Sequence, residues 1–252
     1  ENYTFTGTLL GKGSFGSVYV VENKEDKNQK YAAKLIDITD WFDLNQQKMF
    51  LQESLIAYNL DHPAIVKFKG INLQSFDDKE KLQPTIITEY LSKGSLRANI
   101  DDEARSLAKE DWTPTKKSII LIGIADAMRY LHKNNILHLD IKLENILIDE
   151  DYRPRLCDFG LSRCLPGKFD KYVKSTVGGK IGTPYYMAPE IIRGGHEYNS
   201  KNDVYSFGLL AYEVVTGEKP FGEISYYELT EKIKNKERPK FPKTINKNIA
   251  NL

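Results

Sequence analysis

Residues 138–145 of the chain read His-Leu-Asp-Ile-Lys-Leu-Glu-Asn, and residues 157–160 read Cys-Asp-Phe-Gly. The first stretch follows a long amphipathic pattern and precedes an apolar run, which indicates a loop between a helix and a strand. Its acid and amide groups, and the acid of the second stretch, could bind Mg²⁺ beside phosphate through oxygen. Each such residue alone is better explained as a polar residue that caps a turn. The three residues are Asp140, Asn145 and Asp158.

The hydrophobic pattern changes near residue 90. Before it, β-branched and aromatic runs alternate with Gly and charged turns, which predicts strands; after it, helical spacing dominates. The chain is therefore expected to have an α+β fold, with a small β-sheet lobe, a larger mainly helical lobe and a ligand cleft between them. The predicted strands are residues 3–10, 17–21, 30–36, 66–71 and 85–90. The predicted helices are residues 50–60, 115–133 and 203–216, and a long loop is predicted over 165–195.

The composition excludes several classes of protein. The 36 Lys and Arg nearly balance the 35 Asp and Glu, so net charge gives no case for nucleic acid as the main partner. Two cysteines cannot form a disulfide framework or a cysteine-rich zinc site. The longest apolar run, residues 119–125, is far shorter than the ~20 residues that cross a bilayer. We expect no membrane span and a cytoplasmic location.

Residues 11–18 read Gly-Lys-Gly-Ser-Phe-Gly-Ser-Val. This spacing also occurs in dinucleotide-binding proteins, where the glycines open a helix. Here a β-branched and aromatic run follows, which favours a strand. A strand–turn–strand suits a hairpin over phosphates, because absent side chains let backbone N–H groups approach. A plain glycine turn explains the pattern about equally well.

Lys34 ends the apolar stretch Tyr-Ala-Ala-Lys in a predicted strand. A lysine buried there is costly unless a carboxylate pairs with it. Glu53, in the predicted helix that follows, is the best candidate. Taken alone, both residues are better explained as surface charges.

Together these stretches resemble the catalytic domain of the eukaryotic protein kinases. The glycine-rich loop, strand lysine, helix glutamate, catalytic loop, Asp-Phe-Gly and Ala-Pro-Glu (residues 188–190) occur in the order typical of that family. The resemblance continues through residues 203–208 and implies a bilobal kinase fold over residues 1–252. The small lobe would be residues 1–91 and the large lobe residues 92–252, with ATP in the cleft.

The resemblance also implies a role for each matching residue. Asp140 would orient the substrate hydroxyl and accept its proton, Lys142 would contact the γ-phosphate, and Glu53 would hold Lys34 on the α- and β-phosphates. Asn145 and Asp158 would bind Mg²⁺. The implied phosphate loop is Gly11, Lys12, Gly13, Ser14, Phe15, Gly16 and Ser17. The implied adenine pocket is Leu10, Val18, Ala32 and Leu147, with backbone groups of Glu89 and Leu91 behind Thr88.

The implied substrate is a Ser or Thr hydroxyl of a protein. Lys142, two residues after Asp140, is typical of Ser/Thr kinases, in which Thr183 would brace both residues. The amino-acid sequences of residues 94–96 and 203–221 are similar to those of the tyrosine-kinase-like group of Ser/Thr kinases. The sequence does not indicate an oligomeric state.

Two departures from the family pattern stand out. Leu139 replaces the usual Arg before the catalytic Asp, so phosphate on the activation loop has less to bind. We therefore expect activity to depend weakly on phosphorylation there, at Tyr172, Ser175 or Thr176. The C-terminal helices of the family, and the Arg that would pair with Glu190, are expected to be missing. These departures leave open a pseudokinase that acts as an ATP-binding scaffold or switch.

Overall fold

The chain forms two compact units in the computed structural model. The first unit comprises Glu1–Ser92 with Asp158–Gly160, and the second comprises Lys93–Cys157 with Leu161–Leu252. The structure describes residues 2–13, 16–37, 43–165, 182–195 and 197–242. The candidate residues outside these ranges are Ser14, Phe15, Tyr172, Ser175 and Thr176.

The first unit contains an antiparallel sheet of five strands in the order β1-β2-β3-β5-β4. Its apolar face buries side chains from three neighbouring strands, including Val21, Ala33 and Ile87. This burial favours the β-branched and aromatic residues that predicted the strands. The strands are β1 (Tyr3–Gly13), β2 (Gly16–Asn23), β3 (Lys30–Ile36), β4 (Phe68–Gln74) and β5 (Leu82–Glu89).

Among the described residues of the first unit, one helix, α1 (Leu44–Asn59), is present beside the sheet strands in the sequence. It begins at Leu44 instead of the predicted residue 50, because Asp43 caps it by accepting a hydrogen bond from the backbone N–H of Asn45. The first turns carry polar residues without apolar periodicity, so the hydrophobic pattern did not reveal them. The buried side of α1 includes Phe50 and Glu53.

The second unit is mainly helical. The predicted stripe on its longest helix is confirmed, because Ile120, Ile124 and Leu131 are fully buried. This helix begins at Pro114. Proline suits the first helical position, because an N–H there would have no partner within the helix. The helices are α2 (Leu96–Ala104), α3 (Pro114–Lys133), α4 (Pro189–Ile192), α5 (Ser200–Thr216) and α6 (Tyr226–Lys234).

Local capping signals set the helix ends. Asn199 and Asn202 form a capping box at the start of α5, and Gly217 ends it in the left-handed region at φ 72°. The hydrophobic pattern did not predict α2 or α6. For α6, Ser225 and Glu228 form a capping box that would have revealed its start.

Short strands and 3-10 turns lie between the helices of the second unit. The pairs are β7 with β8 and β6 with β9. The predicted loop over 165–195 contains regular structure where it is described, namely a 3-10 turn at Pro184–Tyr186 and α4. Another 3-10 turn, Leu143–Asn145, leads directly into β7. The strands are β6 (Ile136–Leu137), β7 (Ile146–Ile148), β8 (Pro154–Leu156) and β9 (Arg163–Cys164).

Candidate active site

The glycine-rich segment forms the β1–β2 hairpin, in which Gly13 pairs with Gly16. Gly16 has φ 145°, and a Cβ there would collide with the backbone carbonyl oxygen of Leu35. Only glycine fits this position. Because β2 rather than a helix follows Gly16, the dinucleotide-binding alternative is wrong.

Lys34 is placed between two carboxylates of the first unit. Its Nζ lies 2.7 Å from Oε1 of Glu53 and 2.7 Å from Oδ1 of Asp158. Burial by itself lowers the lysine pKa, but the two carboxylates outweigh it and hold that pKa above its ordinary value. Lys34 therefore stays charged. The predicted pairing of Lys34 with Glu53 is present.

Glu53 is the most enclosed member of this group, with a side chain that is 10% exposed. Burial raises its pKa, and the Lys34 ammonium opposes that rise. Gly160 packs against the same carboxylates: a Cβ there would lie 3.2 Å from Oε2 of Glu53 and 3.3 Å from Oδ1 of Asp158. The backbone at Gly160 therefore leaves little room for a side chain beside the two acids.

The predicted adenine-pocket residues are distributed over both units. In the first unit, Ala32 is buried on β3 and pairs in register with Thr88 on β5. The Glu89 carboxylate accepts a hydrogen bond from the backbone N–H of Lys67. Leu147 lies on β7 of the second unit. Three further members, Leu10, Val18 and Leu91, lie on β1, on β2 and just after β5.

Four predicted catalytic or metal-binding residues meet in the second unit. Oδ1 of Asp140 accepts hydrogen bonds from the hydroxyl of Thr183 at 2.8 Å and from its backbone N–H at 3.1 Å. Oδ2 accepts from the amide of Asn145 at 2.9 Å and lies 2.7 Å from Nζ of Lys142. Lys142 also donates to the Thr183 hydroxyl at 2.9 Å. The Asp140 carboxylate is thus buried, ion-paired and fixed in orientation.

A buried carboxylate on α5 holds the loop that carries Asp140. Asp203 accepts hydrogen bonds from the backbone N–H groups of His138 and Leu139, and lies 2.8 Å from Nε2 of His132. Its side chain has no solvent exposure. The sequence pattern placed Asp203 at the start of a predicted helix and did not indicate this role. The hydrophobic pattern cannot reveal this role, because an exposed acid in the first turn of a helix would give the same pattern.

Leu139 stands where the family pattern has an Arg. It is buried, has φ 64°, and packs in an apolar cluster with Leu137, Leu161, Leu165 and Tyr198. A left-handed backbone is uncommon for a residue of this size, so the surrounding contacts must hold it. The position is filled by apolar packing and carries no charge.

Glu190, expected to lack the Arg that pairs with it in the family, accepts a hydrogen bond from a different residue. The side-chain amide of Asn202 donates a hydrogen bond to its Oε1 at 2.6 Å. Asn202 is buried and also completes the capping box of α5. This residue therefore links the Ala-Pro-Glu segment to α5.

The described ranges lack both a metal site built from protein side chains alone and a membrane-spanning helix. No group of three His, Cys, Asp or Glu side chains there is placed to hold a metal ion. Mg²⁺ is usually held by one or two carboxylates plus phosphates and water, so a protein-only cage is not required. No described helix is both long enough and apolar enough to cross a membrane.

Comparison with known proteins identifies the family. A family model described as the protein kinase domain matches residues 5–252. The serine/threonine-protein kinase CTR1 of Arabidopsis thaliana is 34% identical over 244 residues, covering 96% of this chain and 27% of that protein. Protein kinase C-like 1 of Caenorhabditis elegans is 36% identical, with 96% and 32% covered.

A third relative, mitogen-activated protein kinase kinase kinase 1b of Physcomitrium patens, is 31% identical over 94% of this chain and 29% of its own length. The chain thus spans less than a third of each of these three relatives. Kinases of this family generally use ATP and Mg²⁺. The family match covers nearly the whole sequence, and the chain belongs to the protein kinase domain family.

Proposed function

We propose that this protein is an ATP- and Mg²⁺-dependent protein kinase that phosphorylates Ser and Thr hydroxyls of protein substrates. The observation that supports this best is the buried Asp140 carboxylate, oriented by Thr183, Lys142 and Asn145. Phosphoryl transfer needs positioning and charge neutralisation more than covalent help. A fixed carboxylate beside two donors and a cation supplies the first requirement.

Asp140 would orient the substrate hydroxyl and accept its proton. Its two oxygens now receive four donors: two from Thr183, one from Asn145 and one from Lys142. A carboxylate has about four lone-pair sites, so a substrate hydroxyl needs one of them vacated. Lys142 is the donor best suited to leave, because the proposed function gives it the γ-phosphate as an alternative partner.

Lys34 would neutralise the α- and β-phosphates. Its ammonium is charged and held by Glu53, so it is oriented before nucleotide arrives. Asp158 now bonds to Lys34 and would exchange that contact for a metal ion. Mg²⁺ on Asp158 and Asn145 would supply further positive charge to the phosphates. Carboxylate and amide oxygens suit Mg²⁺, and the absence of a side chain at Gly16 suits a close approach of backbone to phosphate.

The remaining assignments are part of the same proposal. Backbone groups of the glycine-rich hairpin would face the phosphates, including those of Ser14 and Phe15. The division of the domain into residues 1–91 and 92–252 remains a prediction, as does likeness to the tyrosine-kinase-like group. A cytoplasmic location is also part of the proposal, because the sequence has only two cysteines, too few for a disulfide framework. The proposed adenine pocket is Leu10, Val18, Ala32, Thr88, Glu89, Leu91 and Leu147.

The alternative is a pseudokinase, which the apolar residue at Leu139 motivates. Against it, every residue that the transfer chemistry needs is present. Incubation with ATP labelled on the γ-phosphate, Mg²⁺ and a generic protein substrate decides between the two. Label on phosphoserine or phosphothreonine after acid hydrolysis supports the proposal. Label on phosphotyrosine alone contradicts the substrate class, and nucleotide binding without any transfer supports the pseudokinase.

A further inference from the structure

Arg97, in the first turn of α2, ties together three segments of the second unit. Its Nε donates to Glu144 at 3.0 Å, and one terminal nitrogen donates to Glu213 at 2.9 Å and to the hydroxyl of Tyr186 at 3.2 Å. Glu144 lies in the turn between Lys142 and Asn145. None of these contacts was anticipated from the sequence.

Glu213 explains why a cation is needed here. It lies on α5, and only 4% of its side chain is exposed. Burial raises its pKa, while hydrogen bonds from Tyr186 and the Arg97 charge oppose that rise. A buried carboxylate without a counter-charge is strongly destabilising. Arg97 supplies that charge from within the chain.

These groups form one side of an open pocket of about 460 Å³. Thr183 also lines the pocket, and its hydroxyl is bonded to Asp140. An extended peptide advances about 3.4 Å per residue. A peptide that presents its hydroxyl to Asp140 would therefore place a side chain only a few residues away at this pocket.

The rest of the lining is largely uncharged or already paired. Tyr185, Pro220 and Ile224 contribute aromatic and aliphatic surface. Lys219 and Glu223 form an ion pair with a distance of 2.9 Å at the exposed edge. The negative charge that could select a substrate would thus come from Glu144 and Glu213, and Arg97 already binds both.

We propose that Arg97 is a specificity-determining residue: it occupies the acidic side of this pocket, which then accepts apolar substrate side chains and excludes arginine. A second guanidinium would meet the Arg97 charge and would find the Glu213 carboxylate already bonded. An apolar side chain meets neither penalty and can pack on Tyr185, Pro220 and Ile224. This inference rests on the proposed function.

Peptide kinetics test the exclusion. A Ser-containing peptide set carries Ala, Leu or Arg at each position within four residues of the acceptor, and kcat/KM is measured for wild type and Arg97→Ala. Wild type is expected to favour Leu over Arg at one or more positions. At the same position Arg97→Ala is expected to gain at least about 10-fold for Arg, which is about 1.4 kcal/mol.

Matched variants separate this effect from a general loss of structure. Arg129→Ala removes an exposed arginine, also ion-paired, on α3, and should leave the peptide preference unchanged. Adding Glu213→Gln to Arg97→Ala should abolish the gain for Arg, because the buried carboxylate is its source. If Arg97→Ala does not fold, Arg97→Gln is used, since it keeps a donor for Glu213 and should shift preference in the same direction.

A binding measurement keeps the inference separate from the proposed function. Methylguanidinium at millimolar concentration should raise the melting temperature of Arg97→Ala but not of wild type or Arg129→Ala. Absence of phosphate transfer by wild type would contradict the kinase proposal alone, and this measurement would still decide the role of Arg97. An unchanged peptide preference in Arg97→Ala, or equal stabilisation of all three proteins by methylguanidinium, would overturn the inference.

Discussion

The hydroxyl of Thr183 donates a hydrogen bond of 2.8 Å to Asp140, which lies 43 positions earlier in the chain. The same hydroxyl accepts a bond from Lys142. The Thr183 side chain thus positions both Asp140, the proposed proton acceptor, and Lys142, the proposed contact of the γ-phosphate. The backbone turn at Pro184–Tyr186 fixes where that hydroxyl lies.

Replacing Thr183 by Val should lower kcat at least about 10-fold, because Val has the same shape but cannot donate to Asp140. Thr183→Ser keeps the hydroxyl and should stay within about 3-fold of wild type. Steady-state transfer to a peptide substrate measures both variants. Equal rates for the Val and Ser variants would show that the hydroxyl does not orient the carboxylate.

Lys34→Met should lower phosphate transfer by more than about 100-fold, because the cation between Glu53 and Asp158 is lost. The two acids are then left together without a cation, and the raised pKa of Glu53 favours its uptake of a proton. Lys234→Met, which breaks an exposed pair on α6, is the matched control. Transfer rates and circular dichroism spectra are compared, and full activity of Lys34→Met would refute the assignment.

Cys164 should be nearly inert to alkylation at pH 8. Burial raises the pKa of its thiol to about 11, so the reactive thiolate is scarce. Relative to an ordinary cysteine, whose pKa is about 8.5, the rate should fall by about two orders of magnitude. It should rise about 10-fold per pH unit up to about pH 11. With respect to Cys164, the folded state is most stable relative to the unfolded state below about pH 8.5, where the thiol is protonated in both. This contribution is lost as the pH rises through about 11, because the unfolded state releases the thiol proton first.

Iodoacetamide labelling, read by mass spectrometry of the peptide that contains Cys164, measures that rate. The same protein unfolded in urea is the control, since it exposes the identical thiol. A rate in the folded protein within about 3-fold of the unfolded rate at pH 8 would be inconsistent with the half-buried position of Cys164 on β9.

Removal of activation-loop phosphate should change activity by less than about 3-fold. Leu139 is buried among Leu137, Leu161, Leu165 and Tyr198 and carries no charge that could bind a phosphate. Phosphatase treatment, verified by mass spectrometry and followed by a transfer assay, measures the effect. Loss of most activity on dephosphorylation would mean that other basic residues bind the phosphate, and that Leu139 does not weaken the coupling.

The sequence predicted the elements that strong periodicity marks. The stripe of Ile120, Ile124 and Leu131 located α3, and β-branched runs located the five-strand sheet. Helix starts were less accurate where a polar first turn hides the period, as at Leu44. The short helix α2 combines few apolar residues with a single Ser95 cap, so it gave little periodic signal.

The family pattern identified residues that the structure then brings together, notably Asp140 with Thr183 and Lys34 with Glu53. It did not identify the residues that support them. Asp203 and Arg97 contribute through hydrogen bonds to groups that are distant in sequence and partly buried. Neither the burial nor the partners can be read from one amino-acid sequence. Only the three-dimensional structure shows which charged side chains of a helix are buried.

The central claim is that the oriented Asp140 carboxylate takes part in phosphate transfer to a protein hydroxyl. Asp140→Asn retains the size of the side chain and can still accept from Thr183, but its amide cannot take a proton. Transfer of labelled γ-phosphate by wild type and by this variant, at matched fold and nucleotide concentration, is the direct measurement. We predict clear transfer by wild type and at least about 100-fold less by Asp140→Asn. Equal rates, or none from the folded wild type, would contradict the claim.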